Sequence, residues 1–332
     1  MKIKAVSIAN ALGISKATVS LAMNGKPGVS PITRQKVMNY IEAMQSADEK
    51  ANAGKTIIII LARTGKKIVC EGQMDLTTES LRVIDMEVKK MGYRTNIVYL
   101  NMNRDDESNL IEQCNQEDTA GVILLASELE RDDFGRFQNI SKRLMVFDNV
   151  FEKNKADYAV FANEESVERA VEYLMSHGKK DIIYAANADE IYNFKKRRCG
   201  FIKAMERYRI KNPEKRIIEF GKDIDSNVAA VERKMQGGWR LPEAIIAENY
   251  QVSIGIITVF KQNGVKVPKE VSLIGVDELP NYITSEYDLT TVVMAQQARA
   301  RIAAKSFVDR LENDDENIMI KVSAKMKMGS SV

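Results

Sequence analysis

Two spacings of apolar residues divide the chain into unequal parts. Near the N-terminus, apolar residues such as Val6, Ala9 and Leu12 recur at the spacing of one helix face. From Thr56 onward, short apolar runs such as "TIIIILA" alternate with longer helical stretches. The first pattern predicts a small helical unit over residues 1–45. The second predicts an α/β region with doubly wound parallel sheets.

Turn and cap residues separate three helices in the small unit. Gly13 follows the first apolar stripe, where a left-handed turn residue is needed, and Ser15 is placed to cap a second helix. After the loop "NGKPG", Ser30 and Pro31 form an N-cap and first-turn pair for a third helix. Two short helices joined by a tight turn predict a helix-turn-helix, whose second helix is small enough to enter a major groove.

The positive charge of the chain is concentrated in this unit. The whole chain has a formal charge of +3, whereas residues 1–45 carry six basic side chains and one acidic one, a net +5. Such an excess of positive charge is typical of a domain that binds a polyanion, although a solvated surface or a protein-docking module has the same composition. The positive charge together with the helix-turn-helix spacing favours double-stranded DNA as the binding partner of this unit.

The stretch "IANALGISKATVSLAMNGKPGVSPITRQKV" resembles the DNA-binding head of the LacI (lactose-repressor) family of bacterial transcription regulators. The "GISKATVS" segment, the Asn-Gly after it and the "GVS" start of the third helix carry the resemblance. It implies that Lys16, Ala17 and Leu21 face base edges and that Arg34 lies near the DNA. Phosphate-contacting or bracing roles are implied for four further residues: Ser15, Thr18, Ser20 and Asn24.

Two departures from the family pattern concern the head and the segment after it. Leu21 stands where the family usually has an arginine that bonds guanine, so we expect only an apolar contact there, for instance to a thymine methyl. Residues 46–55, "SADEKANAGK", replace the family's hinge and lack its minor-groove leucine. We therefore expect a linker that is a reduced hinge, either a short helix or a flexible segment.

The resemblance extends more loosely over residues 56–332, through segments such as "RRCGFIKAM" and "VPKEVSLIGVDELP". It implies a periplasmic-binding-protein-like core for effector binding and dimerisation. Two series of strands predict two lobes, one over about 56–160 plus 291–315 and the other over 161–290 plus the C-terminal strand. The implied protein is a homodimer that binds a palindromic operator, because two heads match two half-sites.

Polar residues that directly follow strand runs are the candidate effector ligands, since ligands bind beyond the carboxyl ends of strands in open α/β sheets. They include Asp148, Asn249, Tyr250 and Asp277. The resemblance adds Arg197 and implies a sugar or a nucleobase as effector, a sugar being favoured. Asn249 as a helix cap, Arg197 as a solvated charge and Tyr250 as a space-filling ring are open alternatives, as is a core that has lost effector binding.

The sequence disfavours an enzyme. Its only histidine, His177, lies at a predicted helix end, so no Ser/His/Asp or Cys/His triad is available, and no dinucleotide-binding glycine motif is present. Three widely separated cysteines predict neither a metal site nor disulfides, and no cofactor is expected. No apolar run is long enough to cross a membrane, so a cytoplasmic protein is expected. The alternative function is a sugar-binding or dimerisation protein whose head no longer binds specific DNA.

Overall fold

The computed structural model describes residues 5–52, 54–66, 76–151, 155–279, 288–312 and 316–332. The chain begins with helices α1 (Ala5–Leu12), α2 (Lys16–Met23) and α3 (Pro31–Asn52). Ile8, Val19 and Val37, one from each helix, are fully buried against one another. The three predicted helices thus share one small core, which fixes the orientation of α2.

Helix α3 is longer than the sequence pattern predicted. It spans 22 residues and continues to Asn52, through most of the segment 46–55 that was expected to be a linker. Of the two alternatives for that segment, a helix is therefore the one observed for residues 46–52. No Gly or Pro interrupts the chain between Pro31 and Asn52, so the helix has no local reason to end at residue 45.

The elements of the first half of the core are β1 (Thr56–Arg63), α4 (Leu76–Lys90), β2 (Arg94–Asn101), α5 (Ser108–Cys114), β3 (Thr119–Leu125), α6 (Arg131–Gly135), β4 (Leu144–Phe147), β5 (Asp157–Phe161), α7 (Asn163–Ser176) and β6 (Ile182–Ala186). Those of the second half are α8 (Tyr192–Arg207), β7 (Ile217–Glu219), α9 (Ile224–Gln236), β8 (Ala244–Ala247), α10 (Tyr250–Gln262), β9 (Ser272–Val276), β10 (Thr290–Val293), α11 (Gln296–Asp309), β11 (Met319–Val322) and β12 (Lys325–Lys327).

These strands form two six-stranded sheets. The first has the order β11-β5-β4-β3-β1-β2 and the second the order β12-β10-β9-β8-β6-β7. All neighbouring strands are parallel except β10 and β12. The continuous apolar run of β1 is buried because helices cover both faces of a parallel sheet. The α/β class with a helical head is confirmed.

The two sheets define two lobes, between which the chain crosses after β5, after β10 and after β11. The predicted return to the first lobe at residue 291 is wrong by a few residues, since β10 pairs with β9 of the second sheet. The C-terminal region also supplies one strand to each sheet rather than one to the second lobe only. The residues of an apolar strand do not indicate which of the two sheets the strand joins.

Gly200 permits the close packing of α7 on α8. A Cβ atom at this position would lie 2.3 Å from the carbonyl oxygen of Glu164. We expect Gly200→Ala to lower the free energy of unfolding by about 1–3 kcal/mol, since the backbone of α7 must move. Urea denaturation followed by circular dichroism measures it. The control is Gly135→Ala in α6, where the added Cβ has no described atom within 4 Å apart from its chain neighbours and the backbone of its own helix; equal effects of both changes would contradict the packing argument.

Candidate functional site

Helix α2 presents the residues that were predicted to face DNA bases. Val19 and Ala22 point into the head core, whereas Lys16 and Ala17 are exposed at the start of the helix. Leu21 is half-buried. Lys16, Ala17 and Leu21 thus form a short basic and apolar surface on α2, and their contact with DNA bases stays a prediction.

The predicted phosphate-contacting residues also hold the helix together. Ser15 accepts a hydrogen bond from the backbone N–H of Thr18 at 3.0 Å, and the two hydroxyls lie 2.8 Å apart. At the other end, Asn24 Nδ2 donates to the carbonyl oxygen of Ser20 at 2.8 Å. These bonds cap both ends of α2, so the bracing role is present in the structure and phosphate contact stays a prediction.

Arg34 braces the same helix from α3. Its guanidinium donates to the carbonyl oxygen of Ala22 at 2.9 Å and to that of Lys26 at 2.6 Å. A cation at a helix C-terminus satisfies carbonyl groups that have no partner within the helix. Arg34 therefore positions α2 and the loop after it, a role that the sequence pattern did not separate from DNA contact.

In the core, two aspartates occupy matching places in the two lobes. Asp148 directly follows β4 and Asp277 directly follows β9, each the third strand of its sheet. Both are buried, and both have a positive φ, 65° and 69° respectively. This left-handed backbone is unfavourable for residues other than glycine and is concentrated at functional sites.

Asp277 binds the guanidinium of Arg197. Two nitrogen–oxygen distances of 3.1 and 3.2 Å join the two side chains. Arg197 also donates to the carbonyl oxygen of Glu248 at 2.7 Å and to Asn163 Oδ1 at 3.1 Å. Because Arg197 is only 3% exposed, the alternative of a solvated charge is wrong.

Asp148 binds a second guanidinium, that of Arg299 in α11. Ser127 Oγ donates to the same carboxylate at 3.2 Å, and the guanidinium carbon lies 3.8 Å from the ring centre of Phe161. Burial by itself would raise the pKa of Asp148, but Arg299 and the hydrogen bonds of its neighbours outweigh it and lower that pKa. The stability that ionised Asp148 contributes is therefore present at neutral pH and lost as the pH falls through its lowered native value.

Two asparagines join these ion pairs across the lobes. Asn193 Nδ2 donates to Asp148 Oδ1 at 3.3 Å, and Asn163 Nδ2 donates to Asn193 Oδ1 at 2.8 Å. Since Asn163 also accepts from Arg197, an unbroken chain of polar contacts runs from the first lobe to the second. We call this set the interlobe network; its members are Asp148, Asn163, Asn193, Arg197, Asp277 and Arg299.

The other two predicted effector ligands lie at the start of α10. Asn249 caps this helix by accepting from the backbone N–H of Val252 at 3.0 Å, which is the alternative that the sequence left open. Tyr250 is half-buried and packs against the apolar cluster of the second lobe. The interlobe network itself joins Asp148, Arg197 and Asp277 of the five predicted residues.

Arg299, Asn163 and Asn193 were missed by the sequence analysis. One signal for Arg299 existed, because it shares a helix face with Ala303 and Phe307, at intervals of four residues, and both of these are buried. A charged residue on an apolar stripe requires a buried partner. The asparagines carry no comparable signal, since each lies at a helix start where a capping role is the ordinary expectation.

Comparison with known proteins identifies the head first. Residues 6–45 match the family described as bacterial regulatory proteins, lacI family. The chain belongs to the LacI family. Residues 171–332 match the periplasmic binding protein-like domain, which accounts for the second half of the core.

A LacI-family relative is similar over nearly the whole chain, and solved structures share its fold over the same length. The HTH-type transcriptional repressor PurR of Vibrio parahaemolyticus is 24% identical over 92% of this chain and 90% of its own length. A transcriptional regulator CelR–cellobiose complex has a TM-score of 0.70 at 19% identity, covering 98% of both chains. The lac repressor dimer bound to operator and the anti-inducer ONPF has a TM-score of 0.70 at 16% identity, covering 98% of this chain and 97% of that one.

These matches make the chain a DNA-binding transcriptional repressor with an effector-binding domain, not an enzyme. Within the described ranges, no group of three or more His, Cys, Asp or Glu side chains is arranged to hold a metal ion. No single described helix is both long and apolar enough to span a membrane, while α1 and α2 pass that test only as a pair bent by 114°.

The interlobe network predicts strong coupling between Arg299 and Asp148. We expect Arg299→Met to lower the free energy of unfolding by about 3–5 kcal/mol, because it leaves Asp148 buried without its cation. The double variant Arg299→Met with Asp148→Asn should lose less than the sum of the two single changes. Urea denaturation of the four proteins gives the coupling energy.

Arg301→Met is the matched control, since Arg301 lies on the same helix, its side chain is 47% exposed, and its ion-pair partner Glu87 keeps Lys90 and Lys305 as partners. We expect it to change the free energy of unfolding by no more than about 0.5 kcal/mol. Additive losses in the double variant, or an equal loss in the control, would contradict the account of the network.

Proposed function

We propose that this LacI-family repressor acts as a cytoplasmic homodimer that binds palindromic operator DNA through α2. A small molecule that binds between the two lobes, most simply a sugar, controls the affinity. The observation that carries the proposal is the joining of a basic, helix-turn-helix head to a two-lobed core by one continuous helix. The named ligands of the two structural neighbours, cellobiose and an operator, support both halves of it.

Within the head, we assign base-edge contacts to Lys16, Ala17 and Leu21. Lys16 and Ala17 are exposed in the first turn of α2, the part of a recognition helix that reaches the bases. Leu21 lies about one turn further along and provides an apolar contact in place of a guanine-reading arginine. We therefore expect the operator to differ from those of relatives at the base pair that Leu21 meets.

The alternative, a protein whose head has lost specific DNA binding, rests on Leu21 and on the absence of the family's hinge sequence. Selection of bound sequences from random DNA, followed by titration of the best sequence against salt, separates the two functions. An operator-binding protein loses affinity steeply as salt rises, because each phosphate contact releases counterions. A head without DNA binding gives no enriched sequence.

Lys16→Glu is expected to weaken binding to the selected operator by about 1–3 kcal/mol or more, because it places a carboxylate next to the DNA. Fluorescence anisotropy with labelled operator measures the affinity, and circular dichroism verifies that the head remains folded. The control is Lys211→Glu, the same charge reversal at an exposed position in the second lobe. Unchanged affinity of a folded Lys16→Glu protein would remove α2 from the DNA interface.

The continuous helix α3 predicts how the effector reaches the DNA. Heads must lie about 34 Å apart, or a multiple of this, to enter successive major grooves on one side of the duplex. A stiff helix transmits core movements to that spacing, whereas a flexible segment absorbs them. We expect a Gly-Ser insertion after Ala53 to keep basal operator binding but to abolish the effect of the small molecule on it.

Paired titrations of parent and insertion variant, each with and without the small molecule, test this mechanism. The control is an insertion of the same length in the turn near Lys211, remote from the head. Because no leucine wedge is present in residues 46–55, we also expect little bending of the operator. An intact response in the insertion variant, or a strong kink at the operator centre, would contradict control through head spacing.

A further inference from the structure

We propose that the small molecule binds in a cavity displaced from the interlobe network toward one edge of the two sheets, and that it carries an amine. This inference rests on the proposed function, which requires a ligand between the lobes. We call the cavity the edge cavity; its principal lining residues are Thr64, Lys66, Glu130, Asp189, Phe220 and Lys222.

The centre of the cleft already contains two internal cations. Asp148 and Asp277 each hold a guanidinium, and both arginines are at most 3% exposed. The two carboxylates and the two guanidinium groups cancel in charge, and Asp148 also accepts hydrogen bonds from Ser127 and Asn193. A positively charged ligand is therefore attracted less to the interlobe network than to a site with unbalanced carboxylates.

The edge cavity has walls from both lobes. Its volume is about 590 Å³, within the range of small-molecule sites. Thr64 and Lys66 follow β1 of the first sheet, while Asp189 follows β6 and Phe220 follows β7 of the second. These strands lie at or next to the matching edges of the two sheets. A molecule bound there touches both lobes and is able to alter their relative position.

The charge of the edge cavity selects against anions. Among the residues that the structure describes, four carboxylates line it, those of Glu130, Asp133, Asp189 and Asp223, against the two ammonium groups of Lys66 and Lys222. Both ammonium groups are already paired: Lys66 lies 2.9 Å from Glu130, and Lys222 lies 3.0 Å from Asp189. The net formal charge of −2 on these six groups attracts a cation and repels a phosphorylated or carboxylated molecule.

Asp189 is the residue that favours an amine on the ligand. Its side chain is 4% exposed, and its Oδ2 has no hydrogen-bond partner within the part of the chain that the structure describes. The Lys222 side chain beside it is 58% exposed and free to turn away into solvent. An ammonium on the ligand replaces that of Lys222 and supplies further donors, while Phe220 offers an apolar wall to the carbon skeleton.

Three sugars that share one ring and differ in charge test which charge the ligand carries: glucosamine, glucose and glucose 6-phosphate. Isothermal titration of the full-length protein, at a slightly acidic pH that keeps the amine protonated, gives each affinity. We expect glucosamine to bind at least about tenfold more tightly than glucose, and glucose 6-phosphate to bind most weakly. Tightest binding by the phosphate ester, or no binding by any of the three, overturns the proposal.

Two variants locate the site. Asp189→Asn keeps the side-chain shape but removes one charge, so glucosamine affinity should fall about tenfold while that of glucose changes little. Lys222→Met alters an exposed side chain and removes the competing ammonium, so glucosamine affinity should rise. The control is Asp181→Asn, the same loss of charge at an exposed residue of the second lobe. Parent-like affinity in both site variants overturns the assignment.

Operator affinity, measured on the same proteins, separates this inference from the proposed function. Operator binding without any sugar binding refutes the amine ligand and leaves the DNA-binding regulator intact. Absence of a selected operator refutes the proposed function, whereas the order of the three sugar affinities still decides the charge class of the cavity.

Discussion

The arrangement of the two lobes depends on the buried ion pair between Arg299 and Asp148. Neither charge is stable alone in the protein interior; in the pair, Asp148 has a left-handed backbone and Arg299 lies over the ring of Phe161. Once this pair is formed, Asp148 offers an oxygen to Asn193 of the second lobe. From that bond the contacts of the interlobe network continue through Asn163 to the matching pair of Arg197 and Asp277.

This constraint gives the core one defined interlobe geometry. A small molecule in the edge cavity then acts on an existing arrangement, and its effect is limited to the difference in its affinity for the alternative arrangements. Because α3 runs from the head to within a few residues of β1, a change between the lobes has a short path to the heads. In our proposal the network sets the reference state, and the ligand shifts it.

The head and the fold class were predictable because their signals are local. Gly13 and Ser15 mark a turn and a cap within a few residues, and the alternation of apolar runs with helical stretches is visible at once. The interlobe network was not predictable, since Asp148 and Arg299 are 151 residues apart and no sequence feature near either residue indicates that they contact each other. The segment after residue 45 was ambiguous for a different reason: its polar, alanine-rich composition suits a helix and a solvated linker equally.

The interlobe network is by itself sufficient to hold the lobes in one arrangement. A distance distribution between spin labels at Glu112→Cys in the first lobe and Glu214→Cys in the second tests it most directly, in a background without other cysteines and in dimers diluted with unlabelled chain. Both sites are exposed. We expect a single narrow distance in the ligand-free protein, which broadens when Arg299→Met is introduced. A broad or two-peaked distribution in the ligand-free parent, unchanged by Arg299→Met, would contradict the account.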